Sequence, residues 1–269
     1  MLVAAGYHVK VDGDFGRKTE EMVISFQAAN NLVADAIIGQ KTWQVLFMSA
    51  NSYLTVSANR FLSEQDLIKA ANNLGIQLAA VKAVNHVESR GSGFLGDHPV
   101  ILFERHVFWR RLQAHGLNPY DYCEDNKDIL NKKAGGYKGG TKEIERLQRA
   151  MKIHPQSAME SASWGLFQIM GYHWKTLGYS GIERFVDKMK KNEAEQLEAF
   201  VRYMRKHKLD KILRLKSGRK SLDLDDFREF AYRYNGKNYA KNAYHTKMHK
   251  AYRKFLKQSP SHSQYREAA

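Results

Sequence analysis

"AVKAVNHVESRGSGF" (Ala80–Phe94) decides the reading of this sequence. Leu78, Val81, Val84 and Val87 fall on or near one face of a helix that stops at Glu88. The chain then breaks into Ser89-Arg90-Gly91-Ser92-Gly93. A glutamate there is electrostatically misplaced, because the helix dipole is already negative at its C-terminus. Flanked by Val84 and Val87, such a carboxyl is expected to hold its proton more tightly than usual. Protonating a leaving oxygen near neutral pH requires an acid of that kind. Gly91 and Gly93 are expected to leave room beside it for a bulky substrate.

Outward from this stretch the sequence is mainly helical. Ser63 followed by Asp66 reads as a capping-box start, and Leu67, Ala70, Ala71 and Leu74 continue a helix closed by Gly75. Pro99–Phe103 (PVILF) is a short β-prone run. Further helices are expected around Lys142–Met151, Glu193–His207, Asp225–Tyr234 and Asn238–Lys257. The predicted fold is mainly α, an α+β domain with a small β element, preceded by a small helical domain. The expected boundaries are 1–48 for the first domain, 49–60 for a polar linker, 61–258 for the second and 259–269 for a frayed tail.

Composition sets limits. With 43% hydrophobic residues a packed core is expected rather than disorder. No run of 18 apolar residues predicts a membrane span. The first residues lack the charged and small-residue features of a signal peptide, so synthesis without export is expected. Cys123 is the single cysteine, so no internal disulfide is expected. Net charge is +15, and residues 1–60 balance five basic against five acidic side chains, so the excess lies beyond them. Between Arg205 and Lys257 there are 17 basic and five acidic residues. A field of that sign attracts polyanions. No nucleic-acid-binding motif accompanies it, so nucleic acid is not an expected partner.

A repeat marks the N-terminal part. "DGDFGRKT" (Asp12–Thr19) returns 23 residues later as "DAIIGQKT" (Asp35–Thr42). Asp-Gly signals a turn and Thr19 a helix start, with Met22, Phe26 and Ala29 as its apolar stripe. Phe15, Phe26, Ile38 and Trp43 are expected in the core. The segment resembles the small three-helix peptidoglycan-binding module of cell-wall hydrolases. Ala36 departs from that pattern, replacing its second glycine, and most of the module's first helix is missing.

Two more stretches join Glu88-Ser89: "SASWGLFQIMG" (Ser161–Gly171) and "AYRYNG" (Ala231–Gly236). In this order the three resemble the motifs of the lysozyme superfamily. The whole of 61–258 looks like the N-acetylmuramidase domain of phage endolysins, through "VESRGSGF", "HPVILFERHVFWR", "SASWGLFQIMG" and "RYNGKNYA". The resemblance implies a lysozyme-like fold and cleavage of the β-1,4 bond between N-acetylmuramic acid and N-acetylglucosamine, with Glu88 as acid. Gln168 and Asn235 carry amides suited to glycan hydroxyl and N-acetyl groups. Trp164, Phe167 and Tyr234 could stack on sugar faces. For the second carboxylate Asp97 and Glu104 both stand, with Glu160 a remote third. A separation of about 6.5–9.5 Å from Glu88 would imply inversion and about 5–5.5 Å retention. Without a second carboxylate, the substrate's own 6-hydroxyl could attack, as in lytic transglycosylases.

A zinc peptidase or amidase is the other alternative. His86, His98, His106 and His115 lie close in sequence, but no His-Glu-x-x-His occurs. Neither metal nor cofactor is expected. The resemblance implies peptidoglycan as partner, a monomer, a Gram-negative host, and accumulation in the host cytoplasm until a holin gives access to the wall. The basic C-terminal helix, with Ala240, Tyr244, Met248, Ala251 and Phe255 as its stripe, is expected chiefly to close the second domain. Contact with anionic membrane or lipopolysaccharide is its secondary role.

Overall fold

The structure is a computed structural model that describes the chain except residues 4, 11, 51–59, 90 and 259–269 and the side chains at 50 and 238. In chain order the helices are α1 (Arg17–Ala29), α2 (Gln40–Ala50), α3 (Glu64–Leu74) and α4 (Leu78–Glu88), then strands β1 (Phe94–Leu95), β2 (His98–Pro99) and β3 (Ile101–Phe103). Next come α5 (Arg105–Ala114), α6 (Thr141–Ile153), α7 (Pro155–Glu160), β4 (Ala162–Trp164) and β5 (Ile169–Met170). The chain continues through α8 (Ile182–Lys191), α9 (Glu193–Lys206), α10 (Asp210–Leu213), α11 (Leu224–Asn235) and α12 (Tyr244–Gln258). Two compact units result: Met1–Gly91 with Met204–Ala269, and Ser92–Tyr203. Most of the linker expected at 49–60 and all of the tail at 259–269 lie outside the described residues, and α2 reaches Ala50.

In the first unit the two sequence repeats form the same turn. Asp12 Oδ1 accepts from Asp14 N at 3.1 Å, and Asp35 Oδ1 from Ile37 N at 2.9 Å. The residue after each aspartate has positive φ: 81° at Gly13 and 61° at Ala36. A left-handed alanine is strained by about 1–2 kcal/mol, so its neighbours must hold it. Buried Gln27 does so: its Oε1 accepts from Asp35 N and Ala36 N, and its Nε2 donates to Asp35 Oδ1, Ile37 O and Thr42 Oγ1. Burial pushes the Asp35 carboxyl up; hydrogen bonds from Ile37 and Gln27 and the charges of His86 and Lys82 offset this only in part.

The α1 stripe differs from the expected one. Val23, Phe26 and Gln27, spaced i, i+3 and i+4, face inward, whereas Ala29 is exposed, off that face. Phe26 packs with Leu2, Leu32, Leu46 and Phe61, and Ile38 lies at the edge of this cluster. Phe15 and Trp43, expected inside, are 52% and 51% exposed. A module this small has room for few large rings in its core.

The rest of this unit positions α4. Ser63 and Asp66 form the expected capping box and Gly75 closes α3 in the left-handed region. Helix α4 buries Ala79, Ala80, Val81, Ala83, Val84 and Asn85, while Leu78 and Val87 are only partly buried. This small-residue face lets α12 lie close, and α12 packs chiefly on α4 and α11. Its buried side is Met248, Ala251, Tyr252 and Phe255. It starts at Tyr244 rather than Asn238, because a 3-10 turn over Lys237–Asn242 ends in left-handed Ala243.

In the second unit, β1 and β2 pair antiparallel around the turn Gly96-Asp97, and β3–β4–β5 form a three-stranded antiparallel sheet. PVILF is therefore split. Pro99 pairs with Phe94, whereas Ile101 pairs with Trp164. Val100 joins the two, donating to Gly93 O and accepting from Gly165 N. Among the described residues no helix is long and apolar enough to cross a membrane.

Candidate active site

Glu88 is the last residue of α4, and Asn235 the last of α11. Asn235 Nδ2 donates to Glu88 Oε1 at 2.9 Å. The two helices are tied at their starts as well. The Tyr252 hydroxyl of α12 donates to Gln77 Oε1 just before α4 (2.5 Å) and accepts from Leu222 N just before α11 (3.0 Å). Helices of 11 and 12 residues, joined at both ends, hold the partly buried Glu88 carboxyl at a fixed point. A neutral amide of this kind orients a carboxyl in either protonation state. Tyr234 stacks on Phe230 with ring centroids 5.7 Å apart.

The second unit treats the SASWGLFQIMG stretch differently. Trp164 is 3% exposed and donates its indole N–H to Met159 O at 3.0 Å. Phe167, also 3% exposed, stacks on Phe200 at 4.4 Å. Neither ring presents a face to a sugar, so their expected stacking role gives way to packing. Gln168 sits at φ 51°; its Oε1 accepts from Ser163 Oγ (2.8 Å) and its Nε2 donates to Gly165 O (2.8 Å). The amide therefore closes its own turn.

Gln196, which sequence reasoning passed over, is the node of this region. Its Oε1 accepts from Leu166 N (2.7 Å), and its Nε2 donates to Met189 O (2.8 Å) and Gly93 O (3.3 Å). Gly93 N donates to the buried Glu193 at 2.8 Å. A Cβ on Gly93 would lie 2.0 Å from Gln196 Oε1, and one on Gly165 2.5 Å from its Cδ. The space that Gly93 was expected to leave for substrate is filled by Gln196; Gly91 does open on empty space. The only sequence signal for Gln196 was the pair of glycines it crowds.

The other carboxylates separate by surroundings. Asp97 is exposed in the hairpin turn. Glu104 accepts from the Tyr137 hydroxyl at 2.9 Å on both oxygens, and His106 Nδ1 lies 3.2 Å away, near enough for an ion pair. Burial, with Glu104's hydrogen bond and charge, pushes the Tyr137 hydroxyl up to about 12. Glu160 is 1% exposed. Its burial favours the protonated form, but hydrogen bonds from His115, Trp174, Gln156 and Arg111 outweigh this and hold it below the usual glutamate range. Buried Glu143 follows the same rule, with Lys138 N, Phe103 N, Gly139 N and Arg146 outweighing burial. Both are structural anions.

The histidines have separate surroundings. His86 meets the Phe255 ring edge-on at 6.1 Å, His98 is exposed in β2, His106 neighbours Glu104, and His115 lies 3.0 Å from Glu160. Among the described residues no group of three His, Cys, Asp or Glu is placed to hold a metal ion.

Comparison with known proteins identifies the family. The N-acetylmuramidase family model matches residues 77–256, which hold every candidate residue above. The chain belongs to the N-acetylmuramidase family. A peptidoglycan-binding domain model matches residues 1–46 of this muramidase. Its fold is similar to the crystal structure of the Burkholderia AP3 phage endolysin: 42% identity, TM-score 0.83, covering 95% of this chain and 93% of that one. No curated protein matches. The muramidase is mainly helical with small sheets, has the modular architecture of an endolysin, and is a peptidoglycan hydrolase.

Proposed function

We propose that this muramidase hydrolyses the β-1,4 bond between N-acetylmuramic acid and N-acetylglucosamine, with Glu88 as general acid. The observation that carries the reading is the Asn235 Nδ2–Glu88 Oε1 hydrogen bond of 2.9 Å. The amide orients the carboxyl so that its proton goes to the leaving glycosidic oxygen. Charge developing on the sugar ring is then met by Asp97 or Glu104, acting on water or on the oxocarbenium ion. Tyr234, the residue before Asn235, supplies a ring for glycan contact.

Mass spectrometry of digested peptidoglycan tests the reaction. A reducing muramic acid end is expected. A 1,6-anhydro end would make the enzyme a lytic transglycosylase, and a freed peptide would end the reading. Asp97→Asn and Glu104→Gln assign the second carboxylate: the variant that loses turnover while keeping its melting temperature identifies it. Likeness to a phage endolysin supports action on the wall of a host cell after release by a holin. Exposed Phe15 and Trp43 give the N-terminal module an aromatic surface for the wall. Pull-down by purified sacculi, weakened in Phe15→Ser/Trp43→Ser, is the check.

A further inference from the structure

We propose that α12 and the start of α1 form a binding site for a multiply charged phosphate group, apart from the catalytic chemistry. The two elements border a cavity of about 410 Å3 lined by Glu20, Lys250, Arg253, Lys254, Lys257 and Gln258. The four cations follow the spacing i, i+3, i+4, i+7, so they share one face of α12, while Met248, Ala251, Tyr252 and Phe255 are turned into the core.

Side chains three and four apart on a helix are neighbours, and like charges in that arrangement repel. A favourable helix-end dipole accounts for a cation in the last turn, where only Lys257 stands. The others need a counter-charge. Glu20 supplies one, 3.7 Å from Lys254. Among the described residues Lys250, Arg253 and Lys257 have no ion pair. The lining is thus four positive groups against one negative, a net of +3.

The rest of the cavity is arranged around that imbalance. Gln258 Nε2 donates to Glu20 Oε1 at 3.1 Å, which keeps the single anion at the rim of the set. Gln258 Oε1 is buried with no hydrogen-bond partner among the described residues, an acceptor that the hydroxyl of a protonated phosphate satisfies. A lone carboxylate brings one charge, too few for three cations that have no ion pair among the described residues. A phosphate brings up to two charges and three acceptor oxygens, and a chain of phosphates brings more. Three ammonium groups and a guanidinium around one cavity suit that chemistry.

Such phosphates reach the protein from an anionic lipid headgroup or from a soluble polyphosphate. The test uses the full chain and two probes: sodium tripolyphosphate by isothermal titration calorimetry, and flotation with vesicles of phosphatidylcholine alone or mixed equally with phosphatidylglycerol. One tripolyphosphate per chain is expected. The lining variant Arg253→Gln/Lys254→Gln/Lys257→Gln should weaken it by about tenfold or more. A control that removes equal charge elsewhere, Lys190→Gln/Lys216→Gln/Lys220→Gln, should stay within about twofold. Flotation with the phosphatidylglycerol vesicles that disappears in the lining variant assigns the site to a membrane surface. Tripolyphosphate binding without flotation assigns it to a soluble phosphate. Absence of tripolyphosphate binding, or equal loss in both variants, overturns the proposal. Neither arm contains peptidoglycan, so its failure leaves the muramidase reading intact. Thermal melts of both variants confirm that they fold.

Discussion

Two amides expected to hold glycan, Asn235 and Gln168, have opposite uses. Asn235 ends its helix and reaches another side chain, Glu88. Gln168 bends back onto Ser163 and Gly165 of its own turn. On the proposed mechanism the corner of Glu88 and Asn235 puts its polar groups into chemistry, and the turn between β4 and β5 puts them into shape. A motif can therefore identify a family while its members divide into those that act and those that hold.

The largest expected effect falls on the acting side. Glu88→Gln should lower turnover on purified peptidoglycan by about 10³-fold with an unchanged melting temperature, since it keeps the shape and the Asn235 contact but carries no acidic proton. Retained lysis would break the division at once. Next comes the holding side. Gly93→Ala should destabilise by about 1–3 kcal/mol, because Gln196 occupies the added methyl's place. Gln196→Ala strands the buried Leu166 N–H and should lose a similar amount. In the double variant the two losses should not add, since removing Gln196 frees the space; denaturant titration of the four-member cycle measures this.

A direct contrast of the amides follows. Asn235→Ala should reduce kcat by about tenfold with little change in stability, whereas Gln168→Ala should lower stability by about 1–2 kcal/mol with kcat nearly kept. An exchange of these outcomes would reverse the comparison. Tyr252→Phe, which unties the starts of α4 and α11, should cost about 1 kcal/mol by leaving Leu222 N unpaired.

The smallest effect is the response to acid. Glu143 and Glu160 have folded-state values below their ordinary 4.5, so their stabilisation is complete above that pH and is lost as the pH falls further. Asp35 is raised above 3.8, so it disfavours the fold once ionised and relaxes as acid protonates it. Melting curves below about pH 4.5 should thus show Glu160→Gln losing less with acid than the parent chain, and Asp35→Asn lacking the parent's acid relief.

The helices were legible because apolar spacing and caps are local: Ser63, Asp66 and Gly75 delimit α3 where the sequence places it. Glu88 at a helix end was legible for the same reason. The fates of Phe167 and Gly93 were not, since each depends on a partner far along the chain: Phe200 for Phe167, Gln196 for Gly93. Phe15 and Trp43 show the converse, aromatic residues that composition sends inward and a small core leaves out. Nothing near Gln196 in sequence marks it as a node, because two of its three side-chain partners, Gly93 and Leu166, lie 103 and 30 residues away.

The unit that carries Glu88 is interrupted: residues 92–203 are threaded between its early and late parts. During synthesis the ribosome delivers α4 first, while Tyr252 and Asn235 come more than 140 residues afterwards. Glu88 therefore meets Asn235 only when the polypeptide is nearly finished, so on the proposed mechanism a prematurely terminated copy is a silent one.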